Sequence, residues 1–272
     1  MTNTSWTLST RIDGAADKPV LLLGHSLGSS PAMWDEVVPH LVGDLRVVRY
    51  CLPGHGGAPV APVDGPLTMS DVLGALARTL ETLGIARAHL AGLSFGGLTA
   101  LAAGIARPDW LSSIAVMSSG PATLPLDQWP AKAERVREEG TESLLDATFE
   151  RWFTPDARAQ HPRVWRAIRD DFAACADEGY AQCCEVLGAT DLDERVGEIT
   201  CPTLIISAEN DGGLPFEAAE SLAGRLGTPQ SQRTLLKLPG LRHMSAVEAP
   251  EQVAHALLAH VTRADCRRSH EE

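Results

Sequence analysis

The chain has 272 residues, of which 44% are hydrophobic and 21% charged, a balance typical of a globular protein with a full-sized core. Its 23 Lys and Arg against 35 Asp and Glu give a net charge of −12, which argues against nucleic acid or an anionic membrane surface as the main partner. No apolar run approaches membrane-spanning length, and the six cysteines show no CxxC pair and no metal-ligand spacing. We therefore expect a cytoplasmic protein that needs no metal or other cofactor.

The first part of the chain alternates between short apolar runs and amphipathic stretches. We predict an edge strand from Trp6 to Arg11 and four core strands at Val20–Leu23, Arg46–Cys51, Ala88–Ala91 and Ser113–Met117. Helices are predicted between the strands near residues 33–41, 70–83 and 97–106. Such alternation is typical of a mostly parallel sheet with helices on both faces.

Beyond Pro121 the character of the chain changes. Residues 121–195 are rich in Trp, Arg, Asp and Glu and have a helical periodicity, so we predict a helical cap that is inserted after the sixth strand. The alternation then returns with a strand at Pro202–Ile206, a helix at 216–225, a strand at Arg233–Leu238 and a helix at 250–262. The sequence thus predicts one core, residues 1–120 and 196–272, interrupted by a cap at 121–195.

The pattern G-x-S-x-G occurs twice, at Gly24–Gly28 and at Gly92–Gly96. It presents a nucleophilic serine only where a buried strand runs through a tight turn into a helix. The second copy has that context, whereas Ser29-Ser30-Pro31 follows the first copy and delays its helix to near Met33. We therefore predict Ser94 as the nucleophile and the first copy as a loop that supplies backbone N–H groups.

A serine hydroxyl is a weak nucleophile at neutral pH, so it requires a base and an acidic group that orients the base. Asp211 follows the Pro202–Ile206 strand and is the predicted acid, with Glu209 as the alternative if the turn is drawn two residues earlier. His243 lies in the loop after the last predicted strand and is the predicted base. The chain order of serine, acid and histidine is the one expected for a nucleophile on such an elbow.

Attack on a carbonyl places negative charge on oxygen, which backbone N–H groups must stabilise. One predicted donor is Phe95, the residue after the nucleophile, and the other is Leu27, with Ser26 next. His25 lies in the same glycine-rich loop. There a histidine commonly braces the loop by side-chain hydrogen bonds, and contact with the substrate is the alternative.

Several stretches resemble the 3-oxoadipate enol-lactonases, which have the α/β-hydrolase fold. They span nearly the whole chain and comprise Ser26–Gly28 with Met33–Asp35, Leu52–Gly56, Leu90–Gly97, Arg151–Phe153 and Gly179–Cys184. The resemblance implies a serine hydrolase that cleaves a small enol-lactone bearing a carboxylate, through an acyl-enzyme. Ser94, His243 and Asp211 would carry that reaction.

The resemblance also implies a cation in the cap that binds the substrate carboxylate. Arg151 and Arg135 are the candidates, although an arginine on an inserted helix is more often a solvated surface charge. Trp129, Trp152 and His25 are further candidates for contact with the substrate.

Two stretches depart from the enol-lactonase pattern. Asp211–Pro215 lacks the threonine expected before the proline, and Leu241–Met244 is less small and apolar than the usual histidine loop. These departures leave open a general carboxylesterase or lactonase of secondary metabolism with a more apolar pocket. A hypothesis of another class is a non-catalytic ligand-binding protein of the same fold.

Overall fold

The computed structural model describes residues 6–123 and 125–268. Its strands are β1 (Thr10–Asp13), β2 (Val20–Gly24), β3 (Arg46–Tyr50), β4 (Ala88–Leu93), β5 (Leu111–Met117), β6 (Thr203–Ala208) and β7 (Arg233–Leu238). They form one sheet in the order β1-β3-β2-β4-β5-β6-β7. Only β1 pairs antiparallel, with β3, and all other neighbours are parallel. The predicted mostly parallel sheet is confirmed.

Ten α-helices lie within the described residues. They are α1 (Met69–Thr82), α2 (Phe95–Ala106), α3 (Gln128–Glu139), α4 (Leu145–Trp152), α5 (Ala157–Gln160), α6 (Pro162–Ala173), α7 (Asp177–Ala189), α8 (Phe216–Arg225), α9 (Ser245–Glu248) and α10 (Pro250–Arg268). The predicted final helix is confirmed but ends six residues later than expected. Helix α1 begins with a capping box, in which Thr68 and Asp71 exchange side-chain and backbone hydrogen bonds.

Two predicted elements differ from the structure. The edge strand is expected from Trp6 to Arg11, but β1 begins four residues later and spans Thr10–Asp13. Leu8 does not join the sheet, because it turns into the core and its N–H donates to the Thr79 hydroxyl at 2.8 Å. The helix expected near 33–41 is replaced by two 3-10 turns at Pro31–Trp34 and Val38–His40. Pro39 explains the second difference, since proline has no N–H for an α-helical hydrogen bond.

The helices α3 to α7 lie between β5 and β6. The sequence predicts this insertion after the sixth strand, but in the described residues it follows the fifth. Five strands precede it because β1 is the single strand before Val20. These helices contact the loops at the carboxyl ends of the strands. A Cβ on Gly54 would lie 2.6 Å from the Cα of Gly179, and the hydroxyl of Ser30 donates to the Asp171 carboxylate.

The strand order places a topological switch at the centre of the sheet. From β2 the chain moves outward to β3, and it then crosses back to β4 on the other side of β2. Ligands of open α/β sheets bind outside the carboxyl ends of the strands at such a switch. The two G-x-S-x-G sequences follow β2 and β4, so both lie at that position.

Candidate active site

Ser94 occupies the turn between β4 and α2. Its backbone has φ 58° and ψ −111°, a conformation that non-glycine residues rarely adopt and that costs on the order of 1–3 kcal/mol. Two hydrogen bonds hold the turn: the Ser94 N–H donates to the Met117 carbonyl at 2.9 Å, and the Leu98 N–H donates to the Ser94 carbonyl at 2.9 Å. The Ser94 side chain is half-buried. The strand, turn and helix expected around the second motif are therefore present.

The two G-x-S-x-G loops touch each other. Gly24 and Gly92 are partners in the register of β2 and β4, and the Gly96 N–H donates to the His25 carbonyl at 3.2 Å. A Cβ on Gly96 would lie 2.5 Å from the Gly24 carbonyl oxygen, a distance that real Cβ atoms do not reach. The loops approach this closely because both positions are glycine.

The first loop offers backbone N–H groups beside Ser94. Within residues 6–123 and 125–268, the main-chain hydrogen bonds of loops and turns leave the N–H groups of Leu27 and Phe95 without a carbonyl acceptor. Ser26 differs from Ser94 in exposure, since its side chain is only 1% exposed. Its carbonyl accepts from the Ser29 N–H at 3.0 Å. Ser26 thus begins the turn that contains Leu27 and Gly28.

Two buried histidines brace this loop. His25 donates from Nδ1 to the Ser26 carbonyl at 2.8 Å, and its Nε2 accepts from the Leu52 N–H at 3.0 Å. His55 accepts at Nε2 from the Gly28 N–H at 2.9 Å. Burial, with a smaller contribution from the neighbouring His55, lowers the pKa of His25 to about 3, and burial lowers the pKa of His55 to about 4. Both rings are neutral at pH 7, so each can donate at one nitrogen and accept at the other.

Of the two roles considered for His25, the structure favours the brace. The side chain is fully buried and both ring nitrogens are bonded to the protein. His55 lies in a second glycine-rich loop, Pro53–Gly57, for which the sequence predicts the same bracing role. Its ring bonds the Pro53 carbonyl and the Gly28 N–H and so braces the far end of the loop.

Asp211 and His243 form a hydrogen-bonded pair after β6 and β7. Nδ1 of His243 donates to Oδ2 of Asp211 at 2.8 Å, and the Gly213 N–H donates to Oδ1 at 3.0 Å. Burial alone would raise the pKa of the Asp211 carboxyl, but the charge and hydrogen bond of His243 and the Gly213 N–H hold it below its usual range. Asp211 is therefore ionised and orients the imidazole, leaving Nε2 as the proton acceptor.

Glu209, the alternative acid, is directed elsewhere. It is exposed, forms an ion pair with Lys237 at 2.9 Å and accepts from the Gly240 N–H at 3.0 Å. Both contacts lie on the outer edge of the sheet next to β7. Asp211 is the acid that contacts the histidine.

An aromatic wall from the helical segment covers this region. Trp152 is buried and stacks on His243 with ring centroids 6.2 Å apart, and Phe172 lies 5.8 Å from Trp152 in an edge-to-face arrangement. Phe172 in turn meets Tyr180 at 5.9 Å, and Tyr180 stacks on His55 at 6.1 Å. The wall thus runs from the histidine loop to the loop that carries Leu27.

The predicted cap candidates fall into three groups. Trp152 lies in the aromatic wall, and Trp129 is half-buried, with Nε1 donating to the Thr123 carbonyl at 2.7 Å.

Arg151 is exposed, but its charge lowers the pKa of Lys132 nearby, after the larger effect of burial. Arg135 is corrected: its side chain is 53% exposed and pairs with Glu139 on its own helix, because helical neighbours four residues apart face each other. Lys132, which was not predicted, is more deeply buried.

The described residues bring together no group of three or more His, Cys, Asp or Glu side chains with the arrangement of a metal site. All six cysteines have free thiols. None of the described helices combines the length and hydrophobicity needed to cross a bilayer. The candidate site comprises the half-buried Ser94, the His243–Asp211 pair and the aromatic wall.

A model of the alpha/beta hydrolase family matches residues 20–256. The chain belongs to the alpha/beta hydrolase family. It is 30% identical over 246 residues to 3-oxoadipate enol-lactonase 1 of Acinetobacter baylyi, which covers 90% of each chain. The resemblance expected from the sequence is confirmed.

Two solved structures are also similar. The enol-lactonase from Burkholderia xenovorans has a TM-score of 0.86 and 32% identity, covering 94% of this chain and 96% of the other. A malate-bound thermophilic esterase from Thermogutta terrifontis has a TM-score of 0.84 and 26% identity, covering 94% and 93%.

Proposed function

We propose that this hydrolase of ester bonds cleaves a small lactone or enol-lactone that bears a carboxylate, through Ser94, His243 and Asp211 and an acyl-enzyme. The observation that supports the proposal is the contact between the two glycine loops, in which the Gly96 N–H donates to the His25 carbonyl, because it brings the loop of Ser94 against the loop of Leu27. The residues 121–195 would act as the cap of the site. Neither metal nor nucleic acid has a part in the proposed reaction.

The proposed reaction has two halves. His243 takes the proton of Ser94 as the serine oxygen attacks the lactone carbonyl, and the N–H groups of Leu27 and Phe95 stabilise the oxyanion. Collapse breaks the ring C–O bond, and His243 passes the proton taken from Ser94 to the leaving oxygen, which remains tethered to the acyl group as an enol or alcohol. Water, deprotonated by the again neutral His243, then attacks the acyl-enzyme; the acyl–Ser94 bond breaks, Ser94 regains its proton from His243, and the open-chain acid is released.

The choice of a lactone with a carboxylate is supported by the relatives. Two of them are named enol-lactonases, and a third was solved with malate, which is itself a carboxylate. The proposed cytoplasmic location fits such a substrate, because a small anion is retained inside a cell.

A general carboxylesterase remains the second candidate, and the aromatic wall favours it. Phe149, Trp152, Phe172 and Tyr180 are all buried and packed on one another, which suits an apolar acyl or alcohol group. The aromatic wall, with a cation of the helical segment beside it, would still accept a small anionic lactone. The lactonase and the carboxylesterase therefore differ in the charge of the substrate that each prefers.

A substrate panel tests the proposal. An anionic enol-lactone, neutral saturated lactones and neutral nitrophenyl esters would be given to the wild type and to Ser94→Ala. We expect preference for the anionic enol-lactone and a loss of about 10³-fold or more in kcat with Ser94→Ala. Activity on neutral esters alone would favour the carboxylesterase. Absence of turnover with retained ligand binding would favour the non-catalytic binding protein.

A further inference from the structure

Lys132 is a cation without an anionic partner inside the helical segment. Its side chain is half-buried, and among residues 6–123 and 125–268 its Nζ has no carboxylate within ion-pair distance. The other basic residues of α3 differ from it: Arg135 pairs with Glu139, and Arg137 pairs with a glutamate of α7 at 2.8 Å. Among the basic residues of α3, Lys132 is thus the one without an ion pair.

The contacts of Lys132 are aromatic. Nζ lies 4.9 Å from the ring centroid of Trp129 and 6.0 Å from that of Tyr180. Trp129 is on the same helix face, three residues earlier, and Tyr180 belongs to α7. Cation–π contacts of this kind stabilise an ammonium only modestly and do not replace the hydration that it loses on burial.

The surroundings disfavour a charge at this position unless an anion joins it. Burial lowers the pKa of the Lys132 ammonium, the neighbouring Cys184 partly offsets this effect, and the positive charges of Arg151 and Arg135 lower the pKa further. A carboxylate bound against Nζ would supply the missing opposite charge. No acidic side chain of the described residues supplies this negative charge to Lys132. A bound ligand is therefore the source of the anion that we consider.

Tyr180 connects Lys132 to the candidate active site. A Cβ on Gly28 would lie 3.0 Å from the Tyr180 ring, so this ring packs directly on the loop that follows Leu27. The same ring stacks on His55, whose Nε2 accepts from the Gly28 N–H. The Tyr180 ring therefore contacts Lys132 and also the loop that follows Leu27.

We propose that Lys132, flanked by Trp129 and Tyr180, binds the carboxylate of a substrate whose ester carbonyl lies at Leu27 and Phe95. This inference rests on the proposed function and names the residue that selects its substrate class. It assigns to Lys132 the role that the sequence analysis gave to Arg151 or Arg135. The substrate class is a short acyl ester or lactone with a carboxylate at the end remote from the scissile bond.

The test compares two 4-nitrophenyl esters of similar length, the anionic hemisuccinate and the neutral butyrate. We expect the wild type to prefer the hemisuccinate. Lys132→Met should lower kcat/KM for the hemisuccinate about tenfold or more, chiefly through KM, and change the butyrate value less than about twofold. Arg135→Met, one turn along the same helix and exposed, should leave both values unchanged. Turnover of butyrate also reports that each variant is folded.

A second measurement does not require turnover of the anionic ester. Adipate should slow the labelling of the wild type by a serine-directed fluorophosphonate, and this protection should be lost in Lys132→Met and in Lys132→Gln but retained in Arg135→Met. The role of Lys132 would be overturned if Lys132→Met lowered kcat/KM equally for both esters and kept the protection by adipate, or if it lowered kcat/KM for neither ester. Either result would leave the proposed hydrolase function intact. Failure of the wild type to cleave either ester or to be labelled would overturn the proposed function, and the inference with it.

Discussion

At the scale of single residues, glycines determine how the site is assembled, because their lack of a side chain allows close packing. Gly28 has φ 79°, and a Cβ at this position would lie 2.4 Å from the Phe172 ring. The ring therefore packs on the backbone of the loop beside Leu27. Close packing of this kind transmits small changes in volume, since protein interiors contain few voids.

Gly28→Ala should displace this loop. We expect kcat to fall at least about tenfold, because the shift would move the Leu27 N–H away from the oxyanion. Gly57→Ala is the matched control: it has φ 81° but nothing within 4 Å of the added Cβ. The control should lose about 1–2 kcal/mol of stability from its left-handed conformation and keep its kcat. Steady-state kinetics and thermal melts of both variants provide the check, and equal kcat values in both would contradict the role given to this contact.

The sequence allowed Ser94, Asp211 and His243 to be predicted as candidates because each follows a strand that is recognisable locally. Lys132 and Tyr180 were not singled out, since their importance depends on how α3, α7 and the Gly28 loop pack together. Packing between distant segments leaves no periodic signal in the chain. The i, i+3 spacing of Trp129 and Lys132 was visible, but it does not tell which carboxylates lie nearby.

At the scale of elements, the end of α4 and the histidine loop are tied together. Arg242 Nη1 donates to the carbonyls of Glu150 and Phe153 at 2.6 and 2.9 Å. The Met244 N–H donates to the Trp152 carbonyl at 3.1 Å. The last carbonyls of a helix have no partner inside the helix and carry partial negative charge, so a guanidinium binds there favourably. The sequence departure at Leu241–Met244 thus has a structural reason.

Arg242→Ala should loosen the connection on both sides of His243. We expect kcat to fall about tenfold with little change in KM for a neutral ester, because the base loses its orientation and the acyl pocket is preserved. Arg242→Lys should recover part of the loss. Arg195→Ala, which removes an exposed arginine paired with Glu198, is the control and should have no effect. An unchanged kcat in Arg242→Ala would show that Asp211 alone orients the imidazole.

The elements themselves were largely predictable, since six of the seven strands and the helical character of the inserted segment can be read from local periodicity. The shift of β1 depends on tertiary contacts, because Leu8 leaves the edge of the sheet to reach Thr79 on α1. The proposed division into core and cap remains a prediction.

At the scale of the whole molecule, three buried histidines link stability to pH. Burial, as the largest cause in each case, lowers the pKa of His25 to about 3, of His55 to about 4 and of His260 to about 3. An unfolded chain protonates its histidines near pH 6.5. Between that value and the folded-state values the unfolded chain binds more protons, so the folded state loses stability as the pH falls.

The free energy of unfolding should therefore decrease from pH 6.5 down to pH 4. Each of the three histidines contributes up to about 1.4 kcal/mol per pH unit in this window. His260→Gln should reduce the slope, whereas His255→Gln, at an exposed position of the same helix, should not. Urea unfolding at pH 7, 6 and 5 measures the slopes. A stability that is constant from pH 7 to 5 would contradict the neutral, buried state of these rings.

The account depends most on the different roles of the two G-x-S-x-G loops, and covalent labelling tests this directly. A serine-directed fluorophosphonate, followed by intact-mass measurement and peptide mapping, should add one group to the wild type, at Ser94. Ser26→Ala should still be labelled, and Ser94→Ala should not. Labelling of Ser26, or full labelling of Ser94→Ala, would contradict the assignment of Ser94 as the nucleophile.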